Sequence, residues 1–168
     1  MALFIVALLC AGLCYRWGDW KHWKLYYPTI LFYIIGTLLE NIVTTQKPLW
    51  LLFGSSPADR LSDFILGFLI FPSIIIVYLS NYPKRKYFQM VYILAFTMSL
   101  SLIEYIVYLK KGILYYNGWN IGWSVLIYLG AFPLLRLHHT NPLLAWLIFF
   151  ALTGAGIFYF KIPISQLL

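Results

Sequence analysis

Residues 97–108 read TMSLSLIEYIVY, a run with polar residues set inside the longer apolar segment 88–109. Thr97, Ser101, Glu104 and Tyr108 are spaced four, three and four apart, which puts them on one face of an α-helix. Leu100, Leu102, Ile103, Ile106 and Val107 occupy the rest of its surface. An ionised glutamate turned towards hydrocarbon costs about 2.5–3.5 kcal/mol on insertion scales. The stripe is therefore expected to face protein or water, with the other helices packed around it.

The composition supports a bilayer setting. Of the 168 residues, 62% are hydrophobic and 10% charged, against about 25% charged in a soluble domain. The expected fold class is all-α: a polytopic integral membrane helical bundle of one domain with about six spans, or five if the first or last does not cross. The net charge of +7 fits loop charges that fix topology and meet anionic headgroups. Nucleic acid is not an expected partner, because no polar domain exists to present a basic face. Aromatic residues gather where apolar segments meet charged loops, among them Trp17, Trp20, Trp23, Tyr26, Tyr27, Trp50, Tyr115 and Trp119, as in an interfacial belt.

Six segments follow in order, at about 2–16, 26–44, 58–79, 88–109, 121–137 and 142–160. The first lacks the basic flank and cleavage site of a signal peptide, so it is expected to remain as a short span. Cys10 and Cys14 lie four apart within it and read as small packing residues, since that helical spacing does not suit a disulfide. Ala7 and Ala11 offer one close-packing edge there; Ala151, Gly154, Ala155 and Gly156 offer another in the sixth span. Residues 49–53 form an apolar run too short to cross, expected at the interface. Ser56-Pro57-Ala58-Asp59 has the form of a helix start, Pro72 should kink the third span, and Gly112 is the expected C-cap of the fourth. Tyr115-Tyr116-Asn117-Gly118-Trp119-Asn120 reads as a turn, and Asn141 as the N-cap of the sixth span.

Six crossings sort the charges. Arg16, Lys21, Lys24, Lys84, Arg85, Lys86 and Arg136 share one membrane face, while Lys47, Arg60, Lys110, Lys111 and Lys161 share the other. The first set is expected to be cytoplasmic, which turns both termini outward. Anionic headgroups are expected at Arg16, Lys21, Lys24, Lys84, Arg85 and Lys86. Glu40, Asp59, Asp63 and Glu104 all fall at the opposite face, together with Asn41, Tyr108, Asn117 and Asn120.

The candidate ligand or cation site is accordingly Glu104 with Asp63, Glu40, Asn41, Ser101, Tyr108 and Asn120. Each acid has an alternative. Glu104 is either a cation ligand, proton carrier or general acid, or an internal hydrogen-bonded strut. Asp63 could instead pair with Arg60, and Asp59 reads as a cap residue. His138 and His139 point about 100° apart on a helix and read as interfacial residues beside a turn. No metal, cofactor or catalytic residue is expected: no Ser-His-Asp, HExxH, Gly-rich phosphate loop or CxxC pattern occurs.

Asn81-Tyr82-Pro83-Lys84, Glu104-Tyr105, Tyr115-Tyr116-Asn117-Gly118-Trp119 and the turn from His138 to Asn141-Pro142 together resemble a family of small uncharacterised multi-pass membrane proteins of endospore-forming Firmicutes. The likeness runs from about Tyr26 onward. It implies a bacterial cytoplasmic-membrane location and a compact helical bundle, and it carries no activity, substrate or catalytic residue.

Three functions fit these residues. The first is binding or conduction of a cation, or a small cationic solute, at the acidic cluster; a pore from such short spans would need a homo- or hetero-oligomer. The second is a membrane-embedded enzyme acting on a lipid or lipid-linked substrate, and the third a non-catalytic accessory subunit. The balance falls against an enzyme.

Overall fold

A computed structural model describes residues 2–52 and 65–163. The expected helix start at Ser56–Asp59, together with Arg60 and Asp63, lies outside the described residues. Among the described residues six α-helices form: α1 (Ala2–Trp17), α2 (Tyr27–Thr44), α3 (Phe71–Ser80), α4 (Lys86–Leu109), α5 (Ile121–Thr140) and α6 (Pro142–Phe160). A 3-10 turn, Trp20–Leu25, joins α1 to α2, and a π-helical turn, Leu66–Ile70, leads into α3. The all-α bundle expected from sequence is present, and α2, α4, α5 and α6 are long and apolar enough to cross a membrane. α1 has 16 residues, about 24 Å at 1.5 Å per residue, short of the roughly 30 Å hydrocarbon layer.

The amphipathicity of α4 runs opposite to that of a soluble helix. Thr97, Ser101 and Glu104 are its buried residues, at 1%, 6% and 9% exposure, whereas Met90, Met98 and Leu102 are 67%, 61% and 59% exposed. Polar groups point in and long apolar side chains point out, as lipid would require and water would not.

α4 packs on α5, α5 on α6, and α1 on α3 and its π turn. The centre is aromatic. Tyr78 is fully buried, with its ring 5.5, 5.2 and 4.9 Å from those of Tyr92, Phe96 and Phe132. Its hydroxyl donates to the Phe132 carbonyl at 3.0 Å, so a phenol in the middle of the bundle keeps its bond. Gly36 sits where α2 meets α6; a Cβ there would lie 3.2 Å from the Phe149 ring. Ala7 is fully buried, so the small-residue edge of α1 is used within the chain.

Four local features differ from the sequence expectation. Pro72 does not bend an otherwise regular helix. It follows the π turn, in which Phe71 N–H bonds the Leu66 carbonyl, and the wider turn accommodates a residue with no N–H. At the end of α4 the left-handed residue is Lys111 (φ 58°), not Gly112. Lys111 N–H bonds the Tyr108 carbonyl and Gly112 N–H the Val107 carbonyl, a Schellman closure displaced by one residue.

The third difference is a two-stranded ribbon, β1 (Trp50–Leu52) with β2 (Ile113–Tyr115), antiparallel with Trp50 opposite Tyr115. The interfacial run and the start of the expected turn thus pair with each other, because neither backbone has a helix in which to spend its polar groups. A tight turn follows, with Asn117 and Gly118 both at positive φ and Trp119 N–H on the Tyr116 carbonyl. Finally, α5 runs to Thr140, so Arg136, His138 and His139 belong to the helix. His138 is buried, 4% exposed, with Nδ1 3.1 Å from the Thr29 hydroxyl and its ring stacked on Phe32 at 4.3 Å. It is a packing residue between α5 and α2.

Lys111→Gly tests the displaced cap. Removing a side chain from a left-handed position relieves about 1 kcal/mol, so the variant should unfold at a higher temperature in detergent. An unchanged or lower midpoint would place the left-handed residue elsewhere.

Candidate functional site

Glu40 and Glu104 are both engaged by the ribbon. Glu104 projects from the last part of α4 towards α5. Its Oε1 accepts from the Tyr115 hydroxyl at 2.7 Å and from Ser124 Oγ at 2.6 Å, and its Oε2 accepts from the Tyr128 hydroxyl at 2.6 Å. Ser124 and Tyr128 are one turn apart on α5 and so present their hydroxyls side by side. Tyr115 arrives from β2. Ser124 Oγ also accepts the Trp119 indole N–H at 3.1 Å, which fixes the direction in which that hydroxyl donates.

A carboxylate has about four acceptor positions, and three are filled by neutral donors. Among the described residues no cationic side chain is bonded to it. The Tyr115 phenol is pushed above the usual tyrosine range by burial and by its bond to Glu104, so it remains a proton donor to the carboxylate at physiological pH.

Glu40, near the end of α2, accepts the Trp50 indole N–H on Oε1 at 3.1 Å. Trp50 and Tyr115 are direct cross-strand partners. One residue pair therefore reaches both glutamates, Trp50 to Glu40 and Tyr115 to Glu104. The ribbon is held in turn: Tyr116 N–H bonds the Leu49 carbonyl at 2.8 Å, and Asn117 Nδ2 donates to the Pro48 carbonyl at 2.7 Å.

The remaining candidates fall in different places. Tyr108 is half-exposed at the rim and stacks on Tyr115 at 4.8 Å, contacting the cluster through a ring and not a hydroxyl. Asn120 caps α5, its side chain accepting from Gly122 N–H at 2.9 Å. Asn41 is exposed, and its carbonyl accepts from the Thr45 hydroxyl. Ser101 lies one turn before Glu104 on the buried face. The Oγ atoms of Ser101 and Thr97 are buried without a hydrogen-bond partner. Asp63 lies outside the described residues. Among the described residues no group of three or more His, Cys, Asp or Glu side chains converges to hold a metal ion.

Sequence reading missed the residues that complete the site: Tyr115, Ser124, Tyr128 and Trp50. For the α5 pair a signal existed. Ser124, Tyr128, Phe132 and Leu135, at spacings of four, four and three, form the helix face towards α4. The Trp50–Tyr115 pairing joins segments about sixty residues apart and has no local signature.

Hydrogen bonds to charged groups contribute about 1.5–3 kcal/mol each, so Tyr128→Phe and Ser124→Ala should each lower unfolding stability by that amount. Glu104→Ala should lose more, because it strands three hydroxyls at once. A double-mutant cycle of Glu104→Gln with Tyr128→Phe should show coupling above about 0.5 kcal/mol; strict additivity would break the proposed link between α4 and α5.

The chain matches no family model, and comparison with curated proteins and with solved structures found no similar one.

Proposed function

We propose that this chain is an integral protein of the bacterial cytoplasmic membrane that serves as a non-catalytic accessory subunit, with Glu104 as an internal strut. The observation that carries the reading is the hydrogen bonding of Glu104: three hydroxyls from α5 and β2 take three of its acceptor positions, all from within the chain. Membrane placement is supported by four long apolar helices and by the outward apolar side chains of α4. The resemblance to Firmicute multi-pass proteins agrees. The face carrying Lys84, Arg85 and Lys86 is assigned to the cytoplasm by the excess of basic residues there.

The accessory reading also draws on α6. Ala151, Gly154 and Ala155 are exposed, and a Cβ at Gly154 would meet nothing within 4 Å. Its small residues are thus not required by packing inside the chain, and they allow close approach of another helix. An embedded lipid enzyme would need a carboxyl in a groove open to the bilayer. Two surface grooves among the described residues, beside residues 83–95 and 154–162, are lined without one.

One observation favours a second reading, a proton or cation site at Glu104. The unpartnered hydroxyls of Thr97 and Ser101 continue from Glu104 towards the middle of α4, and a buried hydroxyl with no partner costs about 1–3 kcal/mol. Water or an ion between them would relieve that cost.

Thermal unfolding in detergent against Na⁺, K⁺ and Ca²⁺ separates the two. A cation at a hundred times its Kd adds about 2.7 kcal/mol to stability. The accessory reading expects midpoints independent of cation identity in both the wild type and Glu104→Gln. A saturable rise in the wild type that Glu104→Gln abolishes would replace it with the second reading.

A further inference from the structure

At the membrane face opposite the glutamates, the connection from α3 to α4 carries Lys84, Arg85 and Lys86, all exposed. Gln89 Nε2 donates to the Pro83 carbonyl at 2.9 Å and to the Lys84 carbonyl at 3.4 Å. This folds the basic segment against the first turns of α4 and fixes its backbone. Among the described residues the one ion pair is Asp19 with His22, so no carboxylate there neutralises the three charges.

Beside this segment a groove of about 510 Å³ runs down α4. Lys84 and Arg85 stand at its mouth. Phe88, Val91 and Ala95 line it at spacings of three and four, one helix face. That face is turned away from Thr97, Ser101 and Glu104. Tyr92 closes one wall, its hydroxyl already donating to the Val77 and Tyr78 carbonyls, so it offers the groove a ring and no free donor.

We propose that this groove is a binding site for an anionic phospholipid, with its phosphate at Lys84 and Arg85 and an acyl chain along Phe88, Val91 and Ala95. The charge at the mouth is positive and unpaired, which selects an anion. From Arg85 to Ala95 the groove descends about 15 Å at 1.5 Å per residue, all of it apolar, which suits a chain and gives a free phosphate nothing to contact. The volume is within the range of small-molecule sites. Lys86, on the same turn, adds to the field at the headgroup level.

The proposal rests on the membrane reading, so the test begins with reconstitution into phosphatidylcholine vesicles; failure to insert would count against that reading, whatever the groove does. Protein in mixed micelles is then titrated with phosphatidylglycerol or phosphatidylcholine, and bound lipid is counted by native mass spectrometry. The wild type should retain phosphatidylglycerol in preference. Replacing Lys84, Arg85 and Lys86 by Gln together should weaken that preference about fivefold per charge removed. Lys84→Arg with Lys86→Arg should keep it, separating loss of charge from loss of fold. Ala95→Trp, which fills the floor and leaves every charge in place, should also abolish retention. A preference that survives Ala95→Trp would reduce the effect to diffuse surface attraction, and one that survives the triple Gln variant would place the lipid elsewhere; either result overturns the proposal.

Discussion

A carboxylate taken out of water must be met by donors or by opposite charge, and Glu104 is met by three hydroxyls. Much of the arrangement at that face follows from this requirement. α5 must bring Ser124 and Tyr128 level with Glu104, which sets the register of the α4–α5 contact. β2 must place Tyr115 over the same carboxylate, which draws the connection between the two helices back across the end of the bundle. The Trp119 indole then orients Ser124, and the ribbon partner of Tyr115 reaches Glu40. A single charge thus orders two helices, both strands and the turn that follows them.

The other end of the bundle buries a histidine instead. His138 is buried between the Thr29 hydroxyl and the Phe32 ring, with His139 stacked on Tyr26 at 5.6 Å. Between the two polar ends lies the aromatic layer around Tyr78, in which a hydroxyl and a backbone carbonyl satisfy each other. Each layer has its own means of satisfying polar atoms, and the unpartnered hydroxyls of Thr97 and Ser101 are the local exception. They fall between the glutamate layer and the aromatic layer, where no donor or acceptor from α5 is bonded to them.

The all-α class was legible from hydropathy and from helical spacing, because a buried stripe repeats every three or four residues whatever surrounds it. Thr97, Ser101 and Glu104 turned inward for the reason the sequence suggests: the cost of facing lipid. The start of α6 was legible at Asn141, whose side chain caps the helix it precedes. The ribbon was not legible. Its two short strands are separated by α3 and α4, and three-residue strands carry too little alternation to announce a partner. Nor was the role of Asn120 in the expected site; a residue at the right face can still spend its side chain on its own backbone. His138 was expected beside a turn; the helix continues past Leu137 and carries its ring into the bundle.

The sequence separations within the Glu104 cluster bear on how the chain enters the bilayer. The three hydroxyls lie 11, 20 and 24 residues after the carboxylate they satisfy. During synthesis from the N-terminus, α4 is complete while Ser124 and Tyr128 are still to be translated, and Glu104 then has no partner on that side. A lone α4 would carry its acid into hydrocarbon at full cost. Entry of α4 and α5 as a hairpin, with the acid solvated by its neighbour before lipid closes around either helix, avoids that state. The stretch from α4 through α5 is therefore the smallest unit of chain in which Glu104 has all three of its hydroxyl partners.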